Sequence, residues 1–225
     1  MTTRIDFKAG SGAAASGEIA LPAGDAKAPG LVLVQEYWGV NDHIRSLADR
    51  FAAAGFVTLA PDLYHGQVTK DAGEAGQLMT ALDGKQAMDD IAGAVAALLA
   101  HPRVSGKVGI TGFCMGGAYA FAATSAIPAL AAAVPFYGIP PAERLDFAKM
   151  KAPILAHFAT RDQWATVARA QEIQKGIEAH HGSMRLEVYE ADHAFANDTR
   201  PEVYAPEPTK LAWERSVAFL HQHLG

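Results

Sequence analysis

Residues 107–117 read KVGITGFCMGG, and the fold is decided here. Val108–Phe113 reads as a short strand, whereas Met115 onward, through Ala118, Phe121 and Ala122, has the spacing of a helix with an apolar face. Between them stands Gly112-Phe113-Cys114-Met115-Gly116, a G-x-nucleophile-x-G elbow with cysteine as the nucleophile. Such a strand-to-helix turn leaves little room for a side chain at either glycine. It would hold the Cys114 sulfur above a sheet, at a helix N-terminus. Unsatisfied N–H groups and the positive end of the helix dipole favour thiolate over thiol there. The N–H of Met115 is placed to donate to an oxyanion, and an earlier strand-to-helix loop is expected to supply a second donor.

Outward from the elbow, strands and helices alternate. Upstream, Leu31–Gln35 is a continuous apolar run, followed after Gly39 by a helix with Ile44, Leu47, Ala48 and Phe51 on one face and Gly55 as its stop. Phe56–Leu63 is the next strand. It leads through Tyr64 and His65 into a polar, glycine-containing segment to about Gly84, expected to be a lid or pocket wall. Met88, Ile91, Ala92, Val95, Leu98 and Leu99 then mark a helix before Pro102. Downstream, Ala131–Tyr137, Pro153–Ala159 and Arg185–Tyr189 read as strands. Val167, Ala170, Ile173 and Ile177 line a helix, and Trp213, Val217, Leu220 and Leu224 define a closing one. Arg4–Phe7 and Glu18–Leu21 form an opening antiparallel hairpin of unspecified register. The pattern predicts an α/β fold: a mostly parallel twisted sheet with helices on both faces and a site at the carboxyl ends of the strands.

At 225 residues the chain can bury about 70% of its unfolded surface, and residues 1–225 are expected to form one domain without a large cap. Acidic residues number 24 against 19 basic, interspersed, so no basic patch recruits nucleic acid. The lone cysteine excludes an internal disulfide. Residues 108–142 carry no Asp, Glu, Lys or Arg, but Pro128, Pro135, Pro140 and Pro141 break the run into buried elements rather than a membrane span. The opening MTTRIDFKAG has no apolar h-region, which predicts a cytoplasmic protein. Nothing in the composition sets the oligomeric state.

Cys114, Asp162 and His193 each fall just after a predicted strand, in the order nucleophile, acid, base. His193 would take the thiol proton and return one to a leaving oxygen. Asp162 would hold the ring tautomer and stabilise the imidazolium. Asp192 is nearer to His193, but a preceding residue on one loop usually points elsewhere. His180, His181, His221 and His223 lie near predicted helix ends without H-E-x-x-H, so no metal site is expected. Glycines 109, 112, 116 and 117 match neither G-x-G-x-x-G nor a P-loop.

These residues resemble the dienelactone hydrolases (carboxymethylenebutenolidases) of the α/β-hydrolase superfamily. The likeness runs through QEYWGVN at 35–41, APDLY at 60–64, GFCMGG at 112–117, FYG at 136–138 and DHAF at 192–195. It implies an α/β-hydrolase fold, a Cys114-His193-Asp162 triad, no cofactor, and hydrolysis of a small-molecule lactone or ester through an acyl-enzyme. By the same resemblance Glu36 contacts the thiol and promotes thiolate formation, and the second oxyanion donor is the N–H of Tyr37. Tyr64, Tyr137, Trp164, Phe195 and Asn197 are carried over as pocket residues. One departure bears on substrate. The family holds a substrate carboxylate with two arginines, yet no arginine lies between Arg50 and Arg103, and Asn197 occupies the second position. Arg200 and Lys70 are the candidates to replace them. Two other readings stay open: a thioesterase or general carboxylesterase on the same residues, and a non-catalytic ligand-binding or redox-sensing protein.

Overall fold

Strand β3 (Ala28–Val34) shows how one apolar run serves two cores: Leu31 and Leu33 point into one cluster, and Val32 and Val34 into the other. The computed structural model describes residues 1–225. Its eight strands are β1 (Thr3–Lys8), β2 (Ala14–Ala20), β3, β4 (Val57–Pro61), β5 (Val104–Phe113), β6 (Leu130–Phe136), β7 (Ile154–Ala159) and β8 (Met184–Tyr189). They form one sheet in the order β1-β2-β4-β3-β5-β6-β7-β8, antiparallel at the β1-β2-β4 edge and parallel from β4 through β8.

Six helices cover the sheet: α1 (Asp42–Ala53), α2 (Ala72–Ala81), α3 (Gly84–Ala100), α4 (Met115–Ala126), α5 (Val167–Ala179) and α6 (Pro206–Leu224). Ile44 and Phe51 of α1 and Leu220 of α6 pack in one cluster. Ile91 of α3, Phe121 of α4 and Ile173 of α5 pack in the other. A sheet buried on both faces explains the strand sequences, which read as continuous apolar runs. The charge-free stretch at 108–142 resolves into β5, α4, β6 and a turn, and no helix is long and apolar enough to cross a membrane.

β2, α2 and α6 differ from the sequence expectation. β2 starts at Ala14, four residues before the expected Glu18, and pairs along its length with β1 from Thr3↔Ile19 to Lys8↔Ala14. Its small residues suit that place: a Cβ at Gly17 would collide with the carbonyl of Ala60 on the neighbouring strand. The segment expected to be a lid or pocket wall contains α2, a helix not expected there. Only Ala75 is buried on that helix, so it carries no apolar period. A local signal does exist, because the Asp71 side chain accepts from the N–H of Glu74 at 2.8 Å, a capping pattern readable as D-x-x-E. Downstream, α6 begins at Pro206, where proline suits the first turn, well before Trp213.

Candidate active site

Cys114 sits between β5 and α4 with φ 55° and ψ −117°, a left-handed conformation strained for any residue with a side chain. The cost is about 1–3 kcal/mol. Tight packing holds it there. A Cβ at Gly112 would overlap the carbonyl of Gly116, and one at Gly116 would overlap that of Val34, so both glycines are needed for the turn to close. The strain keeps the half-buried sulfur on the wall of a cavity rather than inside α4.

The other chemistry-bearing side chains arrive from the same sheet edge. Glu36 follows β3, Asp162 follows β7 and His193 follows β8, as expected at the carboxyl ends of parallel strands. His193 Nε2 lies 3.2 Å from Cys114 Sγ, and its Nδ1 lies 2.6 Å from Asp162 Oδ2. Asp162 Oδ1 accepts from the N–H groups of Trp164 at 2.8 Å and Ala165 at 2.9 Å, so the carboxylate is fixed by its own turn. Burial opposes a charge on His193, but the hydrogen bonds to Asp162 and to the Cys114 sulfur outweigh it and hold the imidazolium up to about 10.

Glu36 lines the same cavity and is buried. Burial pushes its carboxyl up to about 7, against the opposing pull of the Asn197 hydrogen bond and the charges of His193 and Arg200. Asn197 Nδ2 donates to Glu36 Oε2 at 2.6 Å, while Asn197 Oδ1 accepts from the Thr199 N–H at 3.1 Å and hydroxyl at 2.6 Å. The N–H groups of Tyr37 and Met115 donate to no backbone or side-chain acceptor. Both residues line the cavity beside Cys114.

The cavity has a volume of about 900 Å³. Of the five side chains expected on its wall, Tyr137 and Trp164 are there, each edge-on to His193 at 5.2 and 5.3 Å between ring centres. The other three lie behind it, which corrects their expected placement. Tyr64 is buried with its hydroxyl donating to Met115 Sδ at 3.4 Å. Phe195 is packed between Tyr137 and Tyr189, and Asn197 is spent on Glu36. An aromatic or amide after a strand has no sequence mark that separates second layer from wall.

Arg200, one of the two expected replacement cations, lines the cavity over the Trp38 ring, whereas Lys70 is not on the wall. Sequence reasoning missed Arg144, which reaches the wall from a short 3-10 turn at Ala142–Arg144 with its guanidinium 5.8 Å from the Tyr119 ring centre. No motif marks it; the missing side chain at Gly84 leaves the space it occupies. Arg161, which no motif marks, and Asp192, expected to point away from His193, are also on the wall. Asp192 is hydrogen-bonded to Arg161 and makes no bond to His193.

Residues 16–224 match the sequence profile of the dienelactone hydrolase family. The chain belongs to that family. Among curated relatives it is 31% identical to a carboxymethylenebutenolidase of Pseudomonas sp., over 98% of this chain and 95% of that one. It is 32% identical to a Bradyrhizobium protein described as a 2-oxo-3-(5-oxofuran-2-ylidene)propanoate lactonase, over 92% of this chain and 88% of that one. A crystal structure described as a dienelactone hydrolase of Klebsiella pneumoniae superposes with a TM-score of 0.84 at 28% identity, covering 98% of this chain and 99% of that one. Membership of the dienelactone hydrolase family makes this chain a hydrolase of the carboxymethylenebutenolidase type with the α/β-hydrolase fold.

Proposed function

We propose that the protein hydrolyses lactones or activated carboxylic esters through an acyl-enzyme on Cys114. The observation that carries this reading is the chain of contacts from Cys114 through His193 to the buried Asp162, 3.2 and 2.6 Å, with Cys114 and His193 on the wall of one cavity.

His193 takes the thiol proton, and the Cys114 sulfur attacks the carbonyl carbon. The carbonyl oxygen becomes an oxyanion that accepts from the N–H groups of Tyr37 and Met115. Collapse of the tetrahedral intermediate breaks the acyl C–O bond, and His193 returns its proton to the leaving oxygen. In a lactone that oxygen stays tethered to the acyl chain. His193 then removes a proton from water, the hydroxide attacks the thioester, and Cys114 leaves as thiolate with the carboxylate product released. Asp162 keeps the imidazole in the required tautomer throughout. Enol and aryl leaving groups suit a thiolate, which expels poor alkoxides slowly. Glu36, kept near neutrality by burial, takes part in thiolate formation by resemblance to the family.

Both named relatives point to unsaturated lactones, and the Bradyrhizobium substrate name includes a carboxylate. Arg144 and Arg200 are the cations on this cavity wall that we assign to such an anionic group. The test is steady-state hydrolysis of a carboxylated enol-lactone, its uncarboxylated counterpart, an aryl ester and a thioester, with Cys114→Ala beside wild type. Hydrolysis of the carboxylated lactone with the highest kcat/KM, lowered at least about a thousandfold in the variant, is expected. A preference for the thioester or the aryl ester moves the assignment to the thioesterase or general esterase reading. Equal inertness of both proteins overturns the hydrolytic assignment and favours ligand binding or redox sensing at Cys114.

A further inference from the structure

Arg161 immediately precedes Asp162, and Asp192 immediately precedes His193. The two side chains find each other. Arg161 Nε donates to Asp192 Oδ1 at 3.1 Å and Nη2 donates to Oδ2 at 2.9 Å, a fork-to-fork pair between the loops that bear the acid and the base. We propose that this pair is a clasp that sets His193 against Asp162 and Cys114, making Arg161 and Asp192 positioning residues for the reaction. The proposal rests on the reading of Cys114 as the nucleophile.

The backbone shows why a clasp is needed there. The ladder between β7 and β8 ends at Ala159↔Tyr189. Beyond it, two bonds keep the chains side by side: Thr160 N–H to Tyr189 O at 2.9 Å and Arg161 N–H to Ala191 O at 3.1 Å. Asp162 is already immobilised by the N–H groups of Trp164 and Ala165. The His193 side chain has no such backbone anchor. Its ring nitrogens meet only Asp162 and Cys114 and receive no backbone N–H, its ring lies edge-on to buried Tyr137 and to Trp164, which is 76% exposed, and Ala194 after it holds a φ of 63° that an alanine rarely adopts. A strained loop joined to its neighbour at the residue before the base is constrained where a shift of an ångström would matter. Both members of the pair are about half exposed, so the bond adds little to global stability. Its consequence is local.

The experiment measures kcat and KM on a neutral aryl ester and on a carboxylated enol-lactone, together with the rate at which iodoacetamide alkylates Cys114 at pH 7. The proteins are wild type, Arg161→Ala, Asp192→Ala, Asp192→Asn, Arg161→Lys and the double alanine variant. Each single alanine variant, and the isosteric Asp192→Asn, is expected to lower kcat about tenfold with KM within about twofold. Alkylation slows in parallel, because His193 is no longer aligned to take the thiol proton. The double variant is no worse than either single, and Arg161→Lys falls between, since lysine cannot form the fork. Thermal midpoints stay near that of wild type. Unchanged kcat and alkylation overturn the clasp, as do losses that multiply in the double variant. A rise in KM confined to anionic substrates overturns it too, in favour of direct substrate binding by Arg161. If wild type hydrolyses nothing, the hydrolase reading fails separately and alkylation still decides: slower reaction in the variants supports the clasp, and equal rates overturn it.

Discussion

Glu36 is a buried carboxyl whose only side-chain hydrogen-bond donor is Asn197. Its ordinary value is 4.5 and burial raises it to about 7. The unfolded chain therefore gives up that proton first, and between these two values folding loses stability as pH rises. Glu36→Gln removes the titration. Urea unfolding should show the variant about 1–3 kcal/mol more stable than wild type at pH 8 and level with it near pH 4. An offset equal at both pH values would mean that the gain came from packing and not from the charge. Arg144 and Arg200 call for a different comparison. Replacing either by alanine should raise KM for a carboxylated lactone by about tenfold and leave the uncarboxylated one within twofold, since a charge-assisted hydrogen bond contributes about 1.5–3 kcal/mol. A uniform rise for both substrates would remove the arginines from carboxylate recognition. Neither Glu36 nor Arg144 could be placed from residue type alone, because burial and proximity give each its chemistry.

At the scale of elements, α2 is the piece the sequence pattern hid. It has one buried residue, and Gly73 and Gly76 interrupt it. A Cβ at Gly76 would meet nothing within 4 Å. Gly76→Ala should therefore stabilise the protein by about 0.5–1 kcal/mol by reducing the freedom of the unfolded chain, read as a higher urea midpoint at constant m-value. Met79 and Leu82, at its C-terminal end, form cavity wall, so the same variant also reports whether a firmer α2 alters KM. By contrast α1, α3 and α5 were legible from their apolar spacing, because each buries a stripe against the sheet. The elbow was more legible still, since few residues tolerate its crowding.

The buried titratable groups act together on the whole molecule. His157 is enclosed between Tyr189 and Ser216, at 2.9 Å to each, and burial lowers it from 6.5 to about 3. The unfolded chain binds that proton more tightly, so stability rises with pH across this window. Glu36 works in the opposite sense between 4.5 and about 7. His193, raised from 6.5 to about 10, contributes stability that is complete below 6.5 and is lost as pH climbs toward 10. Summed, these three predict loss of stability below about pH 4.5, a plateau from 4.5 to 6.5 where His157 and Glu36 cancel, and decline above it. Urea unfolding at pH 3 to 10 measures the curve. A maximum near pH 9 would contradict the assignment of these groups.

The sequence by itself determined the α/β alternation, the elbow, the residues that follow each strand and hence which could meet. Those depend on local rules of period, turn sterics and chain order. Tertiary structure decided the rest. It turned Asn197 and Phe195 away from the cavity, brought Arg144 onto its wall through the space beside Gly84, and gave Asp192 to Arg161. Cavity walls and ion pairs are made between segments distant in the chain. Which face of a loop residue meets them depends on packing distances that no local pattern encodes.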